Sequence, residues 1–284
     1  MKKYIYIALA SVALTFTTSC TDGSDSVGVS QIDTSTPLLN DLDVWLRSSF
    51  VAPYNIEVLY KWDINDTDID RFLHPPLESS VRPVSEALQK AWIEPYTQVG
   101  GADFIKKIAP RQFTLVGSFN YNPNSPTITL GVAEAGTKIT LFNIDFLDFS
   151  DINSIKQPLK TVQHEYGHIL NQNIPFDVAY GQINPADYTA QWFNRTDEEA
   201  RELGYITAYG SSQEGEDFVE MVSEMLTNSK EDFDAIVESI SNEESKAIIR
   251  EKEAMVVDYY QTNFDIDIYE LQAIIDAATQ ELVN

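Results

Sequence analysis

The chain has 284 residues, 43% of them hydrophobic, and its 44 acidic side chains against 19 basic ones give a formal charge of −25. Such an excess of carboxylates repels nucleic-acid phosphates and anionic headgroups, which excludes a nucleic-acid partner. With one cysteine and three histidines, there is no intrachain disulfide and no thiolate cluster, so any zinc must be held by His, Asp or Glu.

The first twenty residues, MKKYIYIALASVALTFTTSC, pair two lysines with an apolar run that is too short to span a bilayer. We read residues 1–19 as an export signal and Cys20 as a lipidation site. The segment resembles a lipobox, with Thr17 where such boxes usually carry Leu. The simpler reading is cleavage at an ordinary small-residue site that leaves a free thiol. Residues 20–36 are small, polar and acidic, as expected of a tether. This pattern resembles lipoproteins displayed at the outer membrane of Gram-negative cells. Removing Lys2 and Lys3 takes the charge from −25 to −27.

A helix is predicted over TPLLNDLDVWLRSSF, capped by Thr36 with Pro37 in its first turn. YNIEVLYKW alternates as a strand, and VSEALQKAWIEPYTQV is helical as far as Pro95. RQFTLVGS, PTITLGVAE and TKITLFNID are strands, the last two forming a hairpin through Ala133–Gly136. A helix with Pro158 in its first turn follows. Residues 173–195 form a long aromatic loop, and from Thr196 the pattern is helical almost to the end. The fold class is therefore α+β: a mixed sheet-and-helix N-terminal lobe (37–172) precedes a helical C-terminal lobe (173–284).

The helix at the junction reads TVQHEYGHILNQ. His164 and His168 are one turn apart, so both imidazoles can reach one ion, and Glu165 can deprotonate a water. On a helical wheel Leu159, Val162, Tyr166, Ile169 and Leu170 make the apolar stripe, with both histidines opposite. The simpler reading is a solvated polar face. Gly167 leaves room between the ligands for another backbone to approach.

A catalytic zinc needs a third protein ligand. No histidine follows His168, and His74, before two prolines, reads as structural or surface. The ligand must be a carboxylate. In YGSSQEGEDFVEMVSEML, Glu216 and Glu220 share the helix face away from Phe218, Met221, Val222 and Met225. One could bind metal while the other orients a ligating imidazole. An acidic solvated face explains the same periodicity.

HEYGH followed by YGSSQEGEDFVEMVSEM resembles the zinc site of anthrax lethal factor and related gluzincins. The resemblance implies a zincin-like fold with Glu216 as third ligand and Glu220 as its outer partner. It implies the Tyr209 hydroxyl as oxyanion donor, with Tyr205 as the fallback. PYNIEVLYKWD, YTQVGGADFIKKIAPRQFTLVGS, TLGVAEAGTKITL and YELQAII resemble a family of zinc-binding metallopeptidase lipoproteins, from about residue 36 to the end. Its members look like accessories of outer-membrane nutrient-uptake systems.

These readings point to a surface-displayed zinc endopeptidase, with Glu165 as general base and an extended peptide docking along TKITLFNID as a sheet edge. The rival class is a non-catalytic, metal-stabilised lipoprotein that captures peptide or glycan for an uptake porin. Glu165 and Tyr209 favour catalysis, since a structural zinc site needs neither.

Overall fold

Asn40, rather than Thr36, starts the first described helix (Asp41–Leu46): its side chain accepts the Asp43 amide at 2.8 Å, and the Asp43 carboxylate accepts the Asn40 amide at 3.0 Å. This reciprocal cap satisfies two otherwise orphaned donors. The computed structural model describes residues 38–62, 67 and 70–283. Thr36, Pro37, Cys20, the export segment and the tether lie outside those residues.

The helix expected to stop at Pro95 continues. Glu78–Leu88 runs into a π turn, Gln89–Ile93, and then into Glu94–Gly100. The Glu94 amide reaches back five residues to the Gln89 carbonyl. The widened turn sets Pro95 into the first turn of the next segment, where its missing N–H costs little.

Four strands form one sheet in the order β1 (Glu57–Leu59), β2 (Gln112–Leu115), β6 (Lys138–Leu141), β5 (Gly131–Glu134). β1–β2 and β2–β6 are parallel, and β5–β6 is the expected antiparallel hairpin. A separate pair, β3 (Asn120–Tyr121) with β4 (Ile128–Thr129), is antiparallel. The run PTITLGVAE is thus divided between two sheets at Leu130. β6 is interior, which corrects its assignment as a sheet edge: the edges of this sheet are β1 and β5. Buried Phe113 and Ile139 are paired across β2 and β6, and Val58 is paired with Phe113 on the other side.

Against this core packs the histidine helix, Ile152–Asn173. Asp151 caps it by accepting the Asn153 amide at 3.0 Å. Pro158 is therefore inside the helix and not in its first turn. Tyr166 meets Trp92 and Tyr96 edge-on, each with ring centroids 5.1 Å apart, and Trp92 meets Phe113 at 5.4 Å. This aromatic cluster ties the helix to both the π turn and the sheet.

The expected long loop begins only after Asn173 and carries three 3-10 turns (Tyr180–Gln182, Pro185–Asp187, Trp192–Asn194); helices Asp197–Arg201, Glu214–Thr227, Lys230–Glu238, Glu243–Phe264 and Ile268–Gln280 follow. Glu214–Thr227, the carboxylate helix, crosses the polar face of the histidine helix. A Cβ on Gly167 would lie 3.0 Å from Val219 Cγ1, so the missing side chain sets how closely the two helices approach. That face is consequently buried: His164 is 7% exposed and Glu165 8%. Residues Leu39–Asn284 make one compact unit, and no described helix is long and apolar enough to cross a membrane.

Candidate metal centre

Burying His164, Glu165, Glu216 and Glu220 together is costly unless each finds a partner, and the partners they find define the site. His164 Nε2 lies 3.1 Å from Glu216 Oε2, and His168 Nε2 lies 3.3 Å from the same oxygen. One donor atom from each of His164, His168 and Glu216 falls within 4.8 Å of the other two. A tetrahedral zinc with bonds of about 2.0–2.1 Å sets its donors about 3.3 Å apart. The three side chains, with two nitrogen donors and one oxygen, fit such an ion.

Glu220, one turn beyond Glu216, accepts the Nδ1–H of His164 on Oε1 at 2.7 Å. With Nδ1–H held there, Nε2 is the nitrogen turned toward Glu216. The other oxygen of Glu220 accepts the Thr207 hydroxyl at 2.7 Å and lies 3.4 Å from Lys160 Nζ. Lys160 also contacts Glu224. Thr207 and Lys160 have no motif to mark them; Thr207 reaches Glu220 from the turn before the carboxylate helix and Lys160 from the histidine helix.

The electrostatics favour a cation. Burial works against the charged form of Glu216, but hydrogen bonds from His164 and His168 hold it well below the usual carboxylate range. Burial similarly opposes charge on His164, yet Glu216 and Glu220 hold its imidazole up to about 10. Burial raises Glu220 less than Lys160 and His164 lower it, leaving it at about 2. Glu165 is different: burial outweighs the nearby histidines, and its carboxyl titrates above the ordinary value. A base moved toward neutrality suits proton transfer.

Glu165 also lies against β5. A Cβ on Gly131 would come within 2.4 Å of Thr161 Cγ2 and 3.3 Å of Glu165 Oε1, so a side chain there would hold the edge strand off the helix. The site opens into a cleft of about 360 Å³ whose walls include Ile128, Leu130, Gly131, Thr161, His164, Glu165, Trp192 and Tyr209.

Tyr209, in the turn Tyr209–Ser212, stacks on His164 with centroids 5.6 Å apart and planes 20° from parallel. Trp192, from the long loop, packs on it at 4.8 Å. Burial and then the Glu216 charge raise its phenol above the ordinary value, keeping it protonated. Tyr205 is not brought to the site: its hydroxyl donates to the Asn184 carbonyl at 2.5 Å and its ring lies under Lys252. His74 is remote as well, with a side chain 56% exposed and Nδ1 at 2.9 Å from the Pro75 carbonyl.

Residues 36–269 match the family described as "Putative zinc-binding metallo-peptidase". The crystal structure of a protein from Bacteroides caccae ATCC 43185 with the same description is similar to this chain, with a TM-score of 0.72 and 30% identity over 85% of this chain and 92% of that one. No functionally curated protein matches the chain. The two histidines, the carboxylate that faces them and the sequence match along most of the chain lead to one assignment: this protein belongs to the zinc-binding metallopeptidase family so described.

Proposed function

We propose that the protein is a zinc-dependent endopeptidase of the gluzincin type, with a zincin-like fold, anchored in the bacterial cell envelope by a lipid on Cys20 after removal of residues 1–19. The observation that carries the catalytic reading is the convergence of His164, His168 and Glu216 within 4.8 Å, beside Glu165 in an open cleft. Zinc held by His164, His168 and Glu216 would supply Lewis acidity, lowering the pKa of a water enough for it to give up a proton near neutral pH. Glu165 takes the proton of the attacking water on its carboxylate and passes it to the departing amine. The Tyr209 hydroxyl donates a hydrogen bond to the oxygen on which negative charge develops. Glu220 keeps the His164 tautomer fixed throughout.

β5 is the edge along which an extended peptide adds by main-chain hydrogen bonds. It is the outermost strand of its sheet, and Gly131 brings it against Thr161 and Glu165. The tether and lipid anchor support display at the outer membrane beside a nutrient-uptake complex. Replacing Cys20 with Ser should release the protein from membranes, and continued membrane retention would remove the anchor from this account.

The peptidase reading is tested by incubating the soluble domain with a mixed peptide library and sequencing new termini by mass spectrometry. Cleavage that stops on chelation and returns with zinc supports it. Stoichiometric zinc with no cleavage of any peptide moves the protein to the class of non-catalytic binding lipoproteins.

A further inference from the structure

We infer that Thr207 is a positioning residue that couples the metal-facing orientation of His164 to the Tyr209 hydroxyl; this rests on the peptidase reading above. Thr207 is buried, 2% exposed, and makes two side-chain hydrogen bonds. Its hydroxyl lies 2.7 Å from Glu220 Oε2 and 3.0 Å from the Gly210 amide nitrogen. A hydroxyl has one proton, an ionised carboxylate only accepts, and an amide N–H only donates. The direction of both bonds is therefore fixed: Thr207 donates to Glu220 and accepts from Gly210.

Each end of this short chain leads to the site. Glu220 uses its other oxygen to accept the Nδ1–H of His164 at 2.7 Å. Gly210 directly follows Tyr209, whose ring stacks back on His164. The contacts close a ring that runs from His164 through Glu220, Thr207, Gly210 and Tyr209 to His164 again. Tilting the imidazole toward an ion pulls on Glu220 and, through Thr207, on the turn that aims the tyrosine.

The simpler alternative is that Thr207 only stabilises the Tyr209–Ser212 turn through its contact three residues on. That role needs an acceptor alone, whereas the bond to Glu220 needs a donor. The turn has other fastenings as well. The Ala208 amide donates to Asp197 Oδ1 at 2.7 Å, and the Ser211 carbonyl accepts the Thr189 amide at 2.8 Å. Removing the hydroxyl therefore cuts one link without dissolving the turn, and Thr207→Val does this at nearly constant shape.

The test compares the wild type with Thr207→Val and Thr207→Ser, each also combined with Tyr209→Phe. Zinc affinity is read by chelator competition. The order of the Tyr209 ring is read by fluorine NMR with a fluorotyrosine in its place. Thr207→Val should weaken zinc about tenfold, as loss of an outer partner does. At saturating zinc it should lower kcat about tenfold with KM within about twofold, the signature of a group that acts in the transition state. In the Tyr209→Phe background the zinc effect should persist while the kcat effect shrinks to about twofold or less. Thr207→Ser should restore both properties, and the single fluorine resonance of the zinc-loaded wild type should broaden or split in Thr207→Val. Unchanged zinc affinity in Thr207→Val, or an undiminished kcat loss in the Tyr209→Phe background, overturns the coupling. If the wild type cleaves nothing, the peptidase reading fails, while zinc competition and the fluorine spectrum still decide on Thr207.

Discussion

Glu216, Glu220 and Glu224 follow one another along a single helix, and their different surroundings give them different work. Glu216 faces both histidines, Glu220 holds the back of one, and Glu224 pairs with Lys160 and accepts a hydrogen bond from the Asn228 side-chain Nδ2 at 2.8 Å. We expect Glu220→Ala to weaken zinc about 10- to 100-fold and Glu216→Ala to weaken it more. Glu224→Ala should leave zinc affinity within a few-fold; equal losses for all three, measured by chelator competition, would reject the assignment. If Tyr209 is the oxyanion donor proposed above, Tyr209→Phe should lower kcat about 100- to 1000-fold without changing zinc content. His164, Glu165 and His168 were legible in the sequence because their spacing is itself the chemistry. Thr207 and Lys160 were not, since a threonine in a turn and a lysine on a polar helix face acquire these roles only once the fold sets both beside Glu220.

At the scale of elements, the packing of the histidine helix against the carboxylate helix decides whether the site exists. Gly167 faces Val219 where the two are closest. Gly167→Val should push them apart, costing about 1–3 kcal/mol in chemical denaturation and weakening zinc through displacement of Glu216. A second junction is titratable. Glu202 accepts the Ser241 amide at 2.7 Å and the Asn242 amide at 2.8 Å, just before helix Glu243–Phe264, and these bonds lower its pKa. A lowered carboxyl stabilises the fold above its unfolded pKa, and that contribution disappears as pH falls through the folded value. The stability gap between wild type and Glu202→Gln should thus be constant above about pH 5 and close below about pH 4. A gap that widens in acid would contradict this. Helix boundaries were the least legible elements. Pro158 reads as a first-turn signal and Pro95 as a stop, but the cap at Asp151 puts Pro158 inside its helix and the π turn at Gln89–Ile93 carries the helical path past Pro95. The docking edge was misread because alternation identifies a strand without giving its place in the sheet.

Across the whole molecule, the long loop, the Glu214–Thr227 helix and the Glu243–Phe264 helix are joined by one buried ion pair. Lys252 Nζ lies 2.6 Å from Asp217 Oδ2 and 2.8 Å from the Gly204 carbonyl, and Tyr188 donates to the same carboxylate oxygen at 2.8 Å. Both charged side chains are fully buried, and burial pushes Asp217 up to about 6 against the attraction of Lys252. Lys252→Met should cost about 3–5 kcal/mol by urea denaturation, because it leaves a carboxylate buried without its cation. The α+β class and the helical second half were legible from periodicity. This pair was not, because Asp217 and Lys252 sit among many other charges in their helices and only the assembled fold buries them. The zinc-dependent hydrolysis proposed for this family member is tested most directly by measuring zinc content and peptide cleavage side by side in the wild type and Glu165→Ala. The account predicts one zinc per chain in both and cleavage only in the wild type. Cleavage that persists in Glu165→Ala, or a wild type that binds no zinc when zinc is supplied, would contradict it.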